Sequence, residues 1–195
     1  MKSLCVYCGS SSGLTPHYAE AARGLAQALV ERNIALVYGG GNVGLMGVIA
    51  NEVMRLGGQA TGVIPTALLN MEVGHRSLSH LHVVDNMHER KAMMAELSDG
   101  FIAMPGGIGT LEELFEVLTW SQLGFHDKPI GILNVGGYYD ALLGFMQHMV
   151  MQGFLKTQHA SLLSVESEAS ALLNRFAAFE AQPHNKVLNR VRAEA

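Results

Sequence analysis

A chain of 195 residues, 49% hydrophobic and 15% charged, is rich in core formers and long enough to bury one core without disulfide or metal support. Its formal net charge of −4, with no Lys/Arg-rich run, argues against a nucleic-acid-binding surface. Its first residues read as a strand with no apolar leader before it, and no run of ~18 uncharged apolar residues occurs, so neither a signal peptide nor a membrane partner is expected and the expected location is cytoplasmic.

In chain order, residues 4–7 read as a strand ending in Gly9-Ser10-Ser11-Ser12-Gly13. Residues 16–32 carry Ala19, Ala22, Leu25, Ala26 and Leu29 on one helical stripe. Residues 34–37 form a second strand closed by Tyr38-Gly39-Gly40-Gly41, with a helix over 44–56 and a strand over 60–64 stopped by Pro65. A short strand at 81–84 precedes a helix over 86–97. A strand at 101–104 ends in Pro105-Gly106-Gly107, with a helix over 110–123. A strand at 130–133 and helices over 138–152 and 167–181 complete the pattern. Short strands alternating with long helices predict βαβ units: a single doubly wound, Rossmann-like α/β domain over residues 1–182, with a mostly parallel sheet and helices on both faces. Residues 183–195, with Lys186, Arg190 and Arg192, read as a polar tail.

Ligands of such folds sit outside the carboxyl ends of the strands. Three loops expected there, at 9–13, 39–44 and 105–110, hold much of the chain's unusual glycine: 22 residues, against the ~7% of average usage. Their convergence points to a phosphate-bearing ligand, because backbone N–H groups approach a phosphate closely only where no Cβ intervenes. The loop Pro105-Gly106-Gly107-Ile108-Gly109-Thr110 is the strongest candidate, its following helix adding a positive end and Thr110 either capping that helix or donating to a phosphate oxygen. It lacks the lysine of a Walker loop and the downstream acid of a dinucleotide fingerprint. Gly9 and Ser10, and Gly40 and Gly41, are the second and third candidate cradles.

On the helix after Thr110, Leu111, Leu114, Phe115 and Leu118 share the core stripe, and Glu112 and Glu116 read as a solvated pair on its flank. Glu113 differs, with Val117 and Trp120 as its helical neighbours, a carboxylate placed to face a sugar at the mouth of the loop. Arg90 and Lys91 follow the capping residues Asp85 and Asn86, where cations oppose the helix dipole, so a purely structural origin is disfavoured. Cys5 and Cys8 lie on opposite strand faces and read as core thiols, and the nine histidines, His75, His80, His82 and His88 among them, show no metal-ligand spacing.

Pro105-Gly106-Gly107-Ile108-Gly109-Thr110-Leu111-Glu112-Glu113 resembles the PGGxGTxxE signature of the LONELY GUY (LOG) family of cytokinin riboside 5′-monophosphate phosphoribohydrolases, and Arg90-Lys91 resembles its upstream Arg-Lys pair. The likeness extends through the segments at 8–11, 38–47 and 120–124 to about residue 155. The resemblance implies hydrolysis of AMP or an N6-modified AMP to free base and ribose 5-phosphate, a Rossmann-like homodimer or higher homo-oligomer, and no cofactor. It implies Arg90 and Glu113 as the catalytic pair, residues 106–110 as the phosphate site, and Glu72 as a substrate-contacting carboxylate. Similar sequences carry a lysine decarboxylase label, yet no lysine here stands in a recognisable pyridoxal-phosphate context. An AMP or alarmone sensor, and a hydrolase of another phosphoribosyl compound, remain the alternative readings of the same loops.

Overall fold

The computed structural model describes residues 1–69, 74–75 and 77–180. Glu72 and the tail over 183–195 lie outside the described residues. Chain order is β1 (Ser3–Tyr7), α1 (Pro16–Glu31), β2 (Ala35–Tyr38), α2 (Gly44–Arg55), β3 (Ala60–Pro65), α3 (Thr66–Leu69), β4 (His80–Val84), α4 (Met87–Glu96) and β5 (Phe101–Ala103). Then come α5 (Ile108–Leu123), β6 (Ile130–Leu133), a 3-10 turn (Val135–Gly137), α6 (Asp140–Met151), α7 (Thr157–Ala160), β7 (Leu163–Glu166) and α8 (Ala169–Ala177).

The strands form one sheet in the order β4-β3-β2-β1-β5-β6-β7, every pairing parallel. Alternate residues of β1 therefore enter two cores. Leu4, Val6 and Cys8 join Ala22, Leu25 and Leu29 of α1, Ile49 and Val53 of α2, and Leu172 and Phe176 of α8. Cys5 and Tyr7 join Met94 of α4, Leu114, Val117 and Leu118 of α5, and Met146 of α6 on the other face. Both cysteines are free and buried, as core thiols are.

Three expectations are corrected. The sheet has a seventh strand, β7, which pairs with β6 from Leu163 to Glu166. It is half-buried at the sheet edge, and its brief Leu-Ser-Val-Glu alternation is too short to be read apart from a loop. The helix expected from residue 110 starts at Ile108, because Gly107 is extended (φ −89°, ψ −156°) and takes the cap position without a side-chain hydrogen bond. Thr110 is thus a buried residue inside the first turn, not a cap. The helix expected from residue 138 starts at Asp140, because Gly136 (φ +59°) and Gly137 (φ +73°) adopt left-handed backbone that turns the chain before it.

The strand order places the topological switch between β1 and β5. The chain leaves β1 toward β2, β3 and β4, and only then returns to the other side of β1. The crevice outside the carboxyl ends of those two strands is where such folds bind ligands.

Candidate active site

The loops that follow β1 and β5 are in backbone contact at the switch point. Gly9 N–H donates to the Pro105 carbonyl at 3.1 Å, while the Gly9 carbonyl accepts from Leu45 at 2.9 Å at the start of α2. A Cβ on Gly106 would stand 2.8 Å from Gly9 N and 2.2 Å from the Thr110 hydroxyl, and one on Gly44 would stand 2.2 Å from the Ser10 backbone. These glycines let three loops interlock, leaving the Ser10 side chain exposed at their seam.

Gly107 and Gly109 are different. A Cβ on either would meet nothing within 4 Å among the described residues, and Gly107 needs no left-handed backbone. The fold itself places no demand for glycine there, and both face open space above the β5 loop. From Gly106 through Gly107, Ile108, Gly109 and Thr110, the backbone N–H groups have no acceptor among the described residues. A row of unpartnered donors at the positive end of a 16-residue helix is the arrangement that suits an anion. Thr110 adds a hydroxyl with no hydrogen bond among the described residues.

The carbonyls of the same loop all point elsewhere and are held. Tyr139 Oη donates to the Met104 carbonyl at 2.6 Å, and Tyr138 Oη donates to the Gly106 carbonyl at 2.6 Å. Asn134 supports this pair, accepting from Tyr139 N–H at 2.8 Å through Oδ1 and donating to Asp140 at 2.7 Å. Sequence reasoning passed over Asn134, Tyr138 and Tyr139. Their signal was a fourth loop at the same sheet edge, Asn134-Val135-Gly136-Gly137, lying between the strand expected at 130–133 and the helix expected from 138.

Arg90 is buried on α4, with Nε donating to the Val63 carbonyl at 3.1 Å and Nη2 to the Gly39 carbonyl at 2.8 Å. Nη1 reaches Met87 Sδ at 3.7 Å. A Cβ on Gly39 would fall 2.0 Å from Nη2, so glycine at 39 makes room for the guanidinium. Gly40 (φ +76°) packs on β3 and accepts from His75 N–H, and Gly41 bridges Gly74. These two buried glycines pack the loop onto β3 and residues 74–75 and do not face the open space beside Gly107. His75 is buried between Asn51 Oδ1 at 3.0 Å and Ser77 N–H at 3.3 Å, and burial pulls its pKa down.

Glu113 stands in the second turn of α5, partly buried, without hydrogen bond or ion pair among the described residues. Burial pushes its carboxyl up to about 7, helped by the charges of Glu112 and Glu116, against the opposing pull of Arg90 and Lys91. A carboxyl poised at neutrality in a cleft is suited to proton transfer.

Glu112 and Glu116 are not simply solvated. They clamp Lys91 Nζ at 2.6 and 2.9 Å, joining α4 to α5. Lys91 is therefore not a free cation facing the cradle. The two carboxylates outweigh the burial that would lower its pKa, so the amine is held protonated. An ammonium so engaged is not a free amine, and among the described residues there is no group of three or more His, Cys, Asp or Glu that could hold a metal.

Residues 46–176 match a protein family described as possible lysine decarboxylase. Curated relatives carry a different name. The chain is 48% identical over 179 residues to cytokinin riboside 5′-monophosphate phosphoribohydrolase LOG5 of Arabidopsis thaliana, covering 92% of this chain and 78% of that one. It is 50% identical over 172 residues to the probable enzyme of the same description, LOGL1, of Oryza sativa subsp. japonica, covering 88% and 77%. Among solved structures, a molybdenum cofactor binding protein from Rippkaea orientalis has a TM-score of 0.69 at 21% identity, covering 91% of this chain and 97% of that one. The molybdenum cofactor carrier protein of Chlamydomonas reinhardtii has a TM-score of 0.68 at 17% identity, covering 91% and 98%. At these identities the structures share the fold alone. With the glycine cradle at the switch point, the Arg90-Lys91 pair and Glu113 all in the matching segment, the chain belongs to the LOG family of phosphoribohydrolases.

Proposed function

We propose that the protein hydrolyses the N-glycosidic bond of a cytokinin riboside 5′-monophosphate, releasing the free base and ribose 5-phosphate. The observation that carries this reading is the pairing of an anion cradle at residues 106–110 with a carboxyl poised near neutrality one turn along the same helix. The cradle binds the 5′-phosphate through backbone N–H groups and Thr110. That anchor sets the ribose beside α5, so its anomeric carbon falls to Glu113.

Cleavage of the C1′–N9 bond leaves an oxocarbenium-like ribose, which a carboxylate beside it stabilises. As the bond's electron pair leaves with the base, water adds its oxygen to C1′ and gives a proton to Glu113. The departing base nitrogen takes up one proton, so that free base is released, and Glu113 returns to the carboxylate when its own proton is passed on. Arg90, fixed by the Val63 and Gly39 carbonyls, keeps a rigid positive charge near Glu113 that favours its ionised form. Lys91, clamped between two carboxylates and held protonated, is not the imine-forming lysine that a lysine decarboxylase would need. We also propose that the protein assembles as a homodimer, a reading favoured by the exposed apolar side chains Phe125, Phe145, Met151 and Phe154.

The test is incubation of purified protein with AMP and with isopentenyl-AMP, with free base quantified by chromatography. Base release from the N6-modified nucleotide is expected, falling at least ~100-fold in Glu113→Gln with nucleotide binding retained. Tight binding without release would instead make the protein a nucleotide sensor.

A further inference from the structure

Glycine–glycine peptides flip at low cost, because neither residue has a Cβ to forbid the alternative. The Gly106–Gly107 peptide is the critical one in the cradle. It is trans, so its carbonyl and its N–H point in opposite directions. Flipped, it would replace a donor with a carbonyl oxygen at the anion site and repel the ligand. Among the described residues the carbonyl is held by one group, Tyr138 Oη, at 2.6 Å.

Tyr138 is well placed to act as that latch. It follows the left-handed Gly136 and Gly137, which turn it back over the β5 loop. Its ring stands edge-on to Tyr18 of α1 at 5.7 Å and to Tyr139 at 4.9 Å. Though 43% exposed, it is thus braced by two rings, and among the described residues its hydroxyl is spent on a single backbone carbonyl. Tyr139 makes the matching bond to the Met104 carbonyl, but the next residue is Pro105, so that peptide has no N–H to aim.

We propose that Tyr138 is a positioning residue for phosphate binding, its hydroxyl fixing the Gly106–Gly107 peptide so that the Gly107 N–H faces the anion. This rests on the reading of residues 106–110 as the 5′-phosphate site. It extends that site to a side chain 32 residues downstream, whose hydroxyl acts through the Gly106 carbonyl.

Tyr138→Phe keeps the ring and its edge-on contacts and removes only the hydroxyl. The KM for AMP and the inhibition constant of inorganic phosphate should both rise about tenfold, with kcat within about twofold. Tyr139→Phe is the control: it removes an equal hydrogen bond from the same loop without freeing a donor, so it should lower Tm and leave phosphate inhibition unchanged. Unchanged phosphate inhibition in Tyr138→Phe overturns the proposal, as does an equal rise in Tyr139→Phe, which would mean general loosening of the loop. Gly107→Val separates the underlying reading: if it leaves both the KM for AMP and phosphate inhibition at wild-type values, the phosphate site itself lies elsewhere.

Discussion

Gly39 and Gly107 sit in loops at one sheet edge for opposite reasons. A side chain at 39 has nowhere to go, since its Cβ would lie 2.0 Å from the Arg90 guanidinium, whereas one at 107 meets only open space. Gly39→Ala should therefore expel Arg90 from its carbonyl cradle and lower kcat/KM for AMP about 100-fold, with some loss of Tm from the displaced buried charge. Steady-state kinetics and a melting curve on the same preparation check both effects. Glu113 carries a cost of a different kind. Its folded-state pKa of about 7 lies above the ordinary 4.5, so the folded protein holds this proton more tightly than the unfolded chain. Its contribution is greatest at acid pH and is lost as pH rises from about 4.5 to 7. Glu113→Gln should be close to wild type in stability at pH 4.5 and more stable at pH 8, by on the order of 3 kcal/mol. Denaturant titrations at the two pH values read this directly; a variant less stable than wild type at pH 8 would contradict it.

Among the elements, α4 carries Arg90 and α5 carries Glu113. Lys91 bridges them through Glu112 and Glu116, which are i,i+4 neighbours on α5 whose mutual repulsion the ammonium relieves. Its charge also opposes the rise in the Glu113 pKa, and the two carboxylates promote that rise. Replacing Lys91 with Met should thus shift the acidic limb of the pH–kcat profile to higher pH, and Glu116→Gln should shift it lower. A rise in KM for AMP with an unmoved pH profile would instead make Lys91 a direct phosphate contact. The start of α4 is set by Asn86, whose Oδ1 accepts from Glu89 N–H at 3.0 Å while its amide donates to Glu89 Oε1. This reciprocal cap orients the turn that presents Arg90.

For the molecule as a whole, the chain crosses from β4 to β5 over the central strand, and that crossing opens the crevice at Gly9 and Gly106. One face of the sheet is covered by α1, α2 and α8. Gly131 admits α8 closely, since a Cβ there would reach Leu172 at 2.7 Å. The other face is covered by α4, α5 and α6, and α6 and its flanks leave Phe145, Met151 and Phe154 exposed. Sedimentation velocity is expected to give about twice the 21.0 kDa of one chain, and Phe154→Ser with Phe145→Ser should shift the population toward monomer. A monomer at all concentrations would remove the homodimer reading.

The parallel α/β order, the helix stripes and the loop at 105–110 were legible in the residues alone, because periodicity and glycine placement are properties of near neighbours. Family resemblance added Arg90 and Glu113 as a pair, and the matched relatives place the chain in the same family. What the residues could not disclose depends on chain crossings. Arg90 meets Gly39 across 51 positions and Tyr138 meets Gly106 across 32, and no local pattern encodes either separation. The four-residue β7 is a strand only because β6 lies beside it. Three glycine loops looked alike in sequence; packing decided that Gly9, Gly39, Gly40, Gly44 and Gly106 are glycine to let the chain approach itself. Gly107 and Gly109 were left facing open space, because an L-residue's Cβ is excluded only where other atoms already stand.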